Sequence, residues 1–445
     1  MMRSGEVYWY GAAGEPDHAP AISANASCDV VVVGGGMAGL TCAGELNDKG
    51  YRVILLERDF CGAGASGKSS GFITPDSELE LSSLVEVYGT EVAHELWEFV
   101  TGGVRLIRDH IESFFINCDY QPQDSLFVAS KSSDREDVRA EYDARKKFGY
   151  DSTIYSEKEL PAVLGARGYT NGVRYTQTFG MNSYAYCQGM KKVLERAGVT
   201  IYEDSPVTEV LADGVRAKGQ HVSARFVVLC MDRFTPELGL LQNEVYHIET
   251  FLAATAPLTD DEVRTVFPKE RMMVWDSDLV YQYFRITGEN RLLIGGSDIS
   301  YTYRTKEQKR LRHITKEISS YAKNKFPFVK KDIEYLWPGM LGVTRDLLPI
   351  TGEDPARPNV FYIAAATGLP WAAALGRHIA ERISGVGSNI DKFFRADRKF
   401  ILHPRLERLL GTKATYALSH GVAKYRNEYP ELLLKVGREI KKALA

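Results

Sequence analysis

Continuous apolar runs alternate with helix-period stretches at the start of the chain. Asp29-Val30-Val31-Val32-Val33 is a β-branched run of the kind found in strands buried on both faces. Glycines follow at 34, 36 and 39, then a helical pattern from Leu40 that Gly50 closes, then a second apolar run ending at Leu56. Helical spacing returns over 79–110, where Leu84, Val87, Val92, Leu96, Phe99 and Val100 are in phase, and again over 131–149 and 183–197. Strands are predicted at 199–203 and 206–211 and, past a turn at Asp213-Gly214, at 226–230. Strong alternation over 246–300 predicts an antiparallel sheet with one face on a core and the other on a cavity. A last strand over 360–365 precedes a helix beginning near Pro370. Residues 1–27 read as an irregular arm in which Tyr8-Trp9-Tyr10 are packed.

This order predicts an α/β fold: a Rossmann-type dinucleotide-binding domain assembled from discontinuous segments, with an inserted α+β domain built on the antiparallel sheet. The expected boundaries are 1–90, 150–242 and 335–390 for the first, and 91–149 and 243–334 for the second. Residues 391–445, with leucines at 406, 409, 410 and 432–434, read as a C-terminal helical segment.

The glycines carry the first chemistry. Gly34, Gly36 and Gly39 form G-x-G-x-x-G between a strand and a helix, where a tight turn, an approach to pyrophosphate and close helix–strand packing are each required. The helix N-terminus then offers unpaired N–H groups and a positive dipole end to the phosphates. Glu57 closes the next strand, 23 residues beyond Gly34, where a carboxylate accepts from both ribose hydroxyls and repels a 2′-phosphate. A second Gly/Ser-rich run, 62–71, follows directly and can wrap backbone donors around phosphates or a flavin edge.

Composition narrows the class. In 445 residues, 55 basic against 58 acidic side chains leave no basic excess for a nucleic-acid partner. No apolar stretch reaches the length of a membrane span, and the N-terminal residues lack an apolar signal region, so a cytoplasmic location is expected. Six scattered cysteines without C-x-x-C spacing imply neither disulfides nor zinc, and no metal site is expected.

Taken together, Gly34–Gly39, Glu57 and Gly64-Ala65-Ser66-Gly67 resemble the D-amino-acid oxidase superfamily of FAD enzymes, which includes glycine and sarcosine oxidases. Tyr283-Phe284-Arg285, Arg291–Gly296, Trp337-Pro338-Gly339, Thr344-Arg345-Asp346 with Pro349, and Asn359–Tyr362 with Gly368 extend the likeness, which is most marked toward the γ-glutamylputrescine oxidoreductase branch. The resemblance implies FAD held by Gly34, Gly36, Met37, Ala38, Gly39, Glu57, Arg58, Gly64, Ala65, Ser66, Ser70, Gly71, Val207, Cys230, Gly342, Thr367, Gly368, Leu369 and Pro370. It also implies a final helix whose N-terminus points at the flavin. Three elements differ from the family pattern: Asp232 stands where a glycine is usual, and two glycine-rich stretches are reduced to Gly71 and Gly368.

Family members acting on α-amino acids carry an arginine near the position of Leu341, and those that attach flavin covalently carry a cysteine near Gly339. Their absence here implies non-covalent FAD and oxidation of a small-molecule amine or amino-acid derivative at its C–N bond, by hydride transfer to flavin N5. The resulting imine hydrolyses. Catalytic candidates on the alternating strands are Tyr283 and Arg285, with His247 or Glu249 on the neighbouring strand. Two other readings stand beside this one. An NAD-dependent dehydrogenase would share the first motif and Glu57 but leaves 62–71 unexplained; a flavin-binding scaffold with a degenerate pocket would bind FAD without turnover. The pattern specifies neither oligomeric state nor oxidase against dehydrogenase.

Overall fold

The computed structural model describes residues 2–398, apart from 77–78, 243, 279–280, 302–310 and 345. The predicted C-terminal segment therefore lies outside the described residues beyond 398.

The chain forms two large sheets. In the first, strands Thr200–Tyr202, Val53–Leu56, Ala26–Val33, Gln220–Leu229 and Val360–Ala364 run parallel in that spatial order. Antiparallel strands Gly214–Ala217, Val207–Leu211 and Ile350–Glu353 extend it. The β-branched run is central because both faces are covered: Val30 and Val32 join one apolar cluster, Val31 and Val33 another on the opposite side. Helices Met37–Asp48, Ser183–Arg196 and Leu369–Ile383 contribute their apolar residues to the first of these clusters.

The second sheet has nine strands among the described residues, centred on Tyr246–Thr255 between Ile333–Val343 and Leu292–Tyr301. Its alternation is as expected. Phe251 and Ala253 pack with Phe284, Ile286, Leu292 and Ile294 on one side, while Leu252, Ala254 and Leu293 pack with Trp9 and Trp337 on the other.

Sheet membership departs from the expected boundaries at four places. Strands Ser152–Tyr155 and Gly172–Tyr175 pair beside Asp124–Val128 in the second sheet, not in the dinucleotide sheet. The same holds for Ile333–Val343, whose 335–343 portion had been expected in the dinucleotide domain. Arg3–Ser4 pairs with Tyr335–Leu336, so the N-terminal arm is tied down, and it continues as a helix over Tyr8–Ala13. Residues 79–110 form two helices, Leu81–Tyr88 and Thr90–Ser113, broken at Gly89 with φ 81°. The longer one buries Leu96, Val100, Val104 and Ile107 in the core of the dinucleotide domain, because its apolar stripe meets the final helix there.

Candidate functional site

The strand Ala26–Val33 ends in a turn at Gly34 (φ 111°), and the helix Met37–Asp48 starts immediately after it. A Cβ on Gly39 would lie 1.9 Å from the carbonyl oxygen of Gly34, so only glycine lets the helix approach the strand this closely. The carboxylate of Glu57 accepts from the N–H of Gly35 at 2.6 Å and from that of Asp59 at 2.9 Å. Burial holds its pKa above the ordinary value, and the two amides oppose that shift. A carboxylate has acceptor capacity beyond two bonds, which leaves it able to take ribose hydroxyls.

The second glycine run folds against the first. Gly64 leads into a one-turn helix, Ala65–Lys68, and the Ser66 hydroxyl accepts from the N–H of Met37 at 2.9 Å, joining both loops at the start of the first helix. Three buried side chains then hold successive carbonyls of the loop. Trp337 Nε1 donates to Lys68 at 3.0 Å, Trp9 Nε1 to Ser69 at 2.7 Å, and Arg285 Nε to Ser70 at 2.9 Å. Pinning these oxygens fixes the peptide planes of the loop, and the Gly71 N–H is taken by Ser69 Oγ at 3.2 Å.

A cavity of about 2150 Å³ opens between the two sheets over this cradle. Of the residues expected at FAD, Gly34, Gly36, Met37, Ala38, Glu57, Arg58, Gly64, Ala65, Ser66, Ser70, Val207, Cys230, Thr367, Gly368 and Leu369 line it. Gly39, Gly71, Gly342 and Pro370 do not; they support it from behind. Gly71 (φ 69°) lies against the Met181 carbonyl, and a Cβ there would come within 1.9 Å of that oxygen. Gly342 donates its N–H to Asp232 Oδ2 at 2.8 Å. Asp232 lines the cavity with φ 47°, a left-handed conformation that glycine favours and Asp tolerates. The final helix begins at Leu369 after Gly368 (φ 103°), with Pro370 in its first turn, and its N-terminal end opens on the cavity.

Of the catalytic candidates, Tyr283 alone lines the cavity. Arg285 shares its face of the strand but is fully buried, stacked 5.4 Å over Trp9, and donates to the carbonyls of Ser70 and, at 2.6 Å, Met181. Burial lowers its pKa to about 10, which leaves it charged at neutral pH. Its guanidinium holds these two carbonyls, and it is not among the cavity-lining residues. His247 and Glu249 are likewise not among the cavity-lining residues. On their strand Ile248, Thr250 and Leu252 face the cavity, so the odd-numbered residues point away; His247 Nε2 lies 3.0 Å from the Arg233 carbonyl and Glu249 is 1% exposed.

Phe72, Asp76, Glu80 and Trp275 also line the cavity without any motif to announce them, whereas Tyr281 lines it beside Tyr283, as strand periodicity implies. Sequence reasoning also missed Phe234, which carries the guanidinium of Arg58 at 3.7 Å and that of Arg233 at 3.8 Å. These residues stand in unrelated segments with no motif spacing. The alternation around 281–286 was the only local signal, and it pointed to Tyr283.

A dinucleotide cradle of two glycine loops, an acid on the second strand and a helix N-terminus, opening on a large cavity under a second sheet, define an FAD-dependent oxidoreductase. Residues 29–382 match the family model DAO, FAD dependent oxidoreductase, and the chain belongs to that family. FAD is its cofactor. Over 404 residues it is 28% identical to γ-glutamylputrescine oxidoreductase of Escherichia coli, covering 86% of this chain and 90% of that one. The crystal structure of glycine oxidase from Geobacillus kaustophilus superposes with a TM-score of 0.71 at 19% identity, covering 84% of this chain and all of that one. L-Proline dehydrogenase from P. horikoshii superposes equally well, TM-score 0.71 at 17% identity, over 87% of this chain and 99% of that chain. Among the described residues, no helix is long and apolar enough to cross a membrane.

Proposed function

We propose that this chain oxidises the C–N bond of a small amine or amino-acid derivative, yielding an imine that water hydrolyses. Bound FAD supplies the hydride acceptor. Gly34, Gly36, Glu57 and the 64–70 loop would hold its dinucleotide half, with Arg58 and Val207 alongside. The positive end of the helix Leu369–Ile383 opens on the cavity and favours negative charge there by up to about 2 kcal/mol.

The observation that carries the substrate class is the wall around Leu341. Leu341 itself lines the cavity, flanked by Met340 and Val343, and the same cavity carries Phe72, Trp275, Tyr281, Asp76 and Glu80. Such a wall suits an amine and has no guanidinium at Leu341 with which to grip an α-carboxylate. Tyr283 and its neighbours would orient the reacting carbon and exclude water. The E. coli relative is named for oxidising an amine, in line with this reading. Non-covalent attachment belongs to the same proposal, since Gly339 lines the cavity where a flavin-linking cysteine would stand. So does a cytoplasmic location, in keeping with six free thiols, five of them buried.

Anaerobic addition of amines to the FAD-loaded protein tests the reading. Bleaching of the flavin band supports it; an oxidised flavin in the presence of every amine and amino acid tried would refute it.

A further inference from the structure

One part of the cavity wall holds an imbalance of charge. Asp76, Glu80 and Glu141 place carboxylate oxygens within 4.8 Å of one another, and one guanidinium, that of Arg145, stands among them. Arg145 is committed to two of the three: it donates to Asp76 at 2.8 Å and pairs with Glu141 at 2.6 Å. Tyr175 and Thr74 complete Asp76, and Glu141 accepts the Ser82 N–H through Oε2 at 2.8 Å, its Oε1 held only by the ion pair with Arg145. Glu80 is left over. Its Oε1 accepts from Trp275 Nε1 at 2.7 Å, whereas its Oε2 is buried and receives no hydrogen bond. Glu80 and Asp76 both line the cavity.

The surface beside Glu80 is built from rings. Phe72 lies 6.5 Å from Trp275 and 5.6 Å edge-on from Tyr283, and Tyr281 lies 5.7 Å from Tyr283; all four line the cavity. A carboxylate with an unmet acceptor, set among aromatic faces, is the chemistry that recognises an alkylammonium: the rings attract the cation through their quadrupoles and the acid neutralises it. A divalent metal is a poor occupant, because it would need Asp76, Glu80 and Glu141 together and Arg145 already holds two of the three.

We propose that Glu80, with Trp275 and Phe72, forms a subsite for a second cationic group of the substrate, remote from the carbon that is oxidised. This rests on the amine reading and narrows it to amines carrying a distal ammonium or an equivalent cation. Tyr283, paired with Trp275 across adjacent strands, joins this subsite to the rest of the cavity. Without ligand a proton takes the cation's place: burial, Asp76 and Glu141 hold the Glu80 carboxyl well above the ordinary range.

The test compares α,ω-diamines with n-alkylamines of matched chain length as anaerobic reductants of the FAD-loaded full-length protein. The expected result is half-saturation by the diamine at a concentration about tenfold lower than the monoamine, a ratio that Glu80→Gln brings close to one. A wild-type protein without diamine preference, or a Glu80→Gln protein that keeps the ratio, would overturn the subsite. Phe72→Leu, which removes a ring without touching the carboxylates, should reduce the same ratio and serves if Glu80→Gln does not fold. If no amine reduces the flavin, the oxidation reading fails separately. Binding of hexyltrimethylammonium, followed by the flavin spectrum, then decides: saturable binding weakened by Glu80→Gln upholds the subsite, and no binding refutes it.

Discussion

Arg285 donates from Nε to the carbonyl oxygen of Ser70 at 2.9 Å, from a position closed to solvent. With Trp9 on Ser69 and Trp337 on Lys68, it fixes the loop that completes the dinucleotide cradle. Arg285→Met removes a charge-assisted bond and leaves two buried carbonyls without a donor, at a cost of about 2–4 kcal/mol. The expected outcome is FAD affinity lowered by at least about tenfold in titrations of the apoprotein, with Trp9→Phe a milder version. An Arg285→Met protein that binds FAD normally but has lost turnover would return Arg285 to the substrate.

Two glycines on one helix give a controlled comparison. A Cβ at Gly39 meets the Gly34 carbonyl at 1.9 Å, which is backbone against backbone and cannot yield without moving the helix off the sheet. At Gly44 the nearest atom is the flexible end of Leu194, at 3.2 Å. Gly39→Ala should therefore purify without flavin and melt early. Gly44→Ala should stay yellow, its stability changed by no more than about 1 kcal/mol because helix propensity offsets the crowding.

Asp276 lines the cavity almost fully buried, and burial with the nearby Asp278 raises its pKa to about 7. Between the ordinary aspartate value and that figure the folded state keeps a proton the unfolded chain has lost. Its stabilising effect is thus fully present at low pH and disappears as pH rises through about 7. Asp276→Asn should gain stability relative to wild type across that window, by up to about 4 kcal/mol. Urea unfolding of both proteins at intervals from about pH 4 to 8 measures it; a difference independent of pH contradicts the assignment.

Acid precipitation should release all of the FAD to the supernatant. Cys230 lines the cavity beside the Gly34 turn and is the one cysteine among the cavity-lining residues, while Gly339, where the family resemblance would place a flavin-linking cysteine, has no side chain. Yellow colour retained in the pellet would show a bond to the chain.

The cradle was legible because its requirements are local: the glycine spacing, the β-branched strand and Glu57 lie within one stretch, and each answers to a steric or hydrogen-bonding need there. The catalytic side was not. Period-two alternation shows that Tyr246–Thr255 has two faces but not which one looks into the cavity, and a choice of odd positions selected His247 and Glu249 in place of Ile248, Thr250 and Leu252. Arg285 was placed on the right face, yet its burial depends on Trp9, 276 residues away in sequence. The acid–aromatic wall draws Phe72, Glu80 and Trp275 from two distant segments, and only tertiary packing brings them together. The span 150–242 reads as one piece of the dinucleotide domain, yet strands 152–155 and 172–175 within it pair in the second sheet, because partner choice is not encoded in a short strand's own pattern.

Whether an amine delivers hydride to the bound flavin is measured directly by anaerobic spectrophotometry of the yellow protein. Saturable loss of flavin absorbance on adding an amine, with the matching carbonyl compound released, is the predicted result. A flavin that dithionite bleaches readily but that no amine reduces would contradict it.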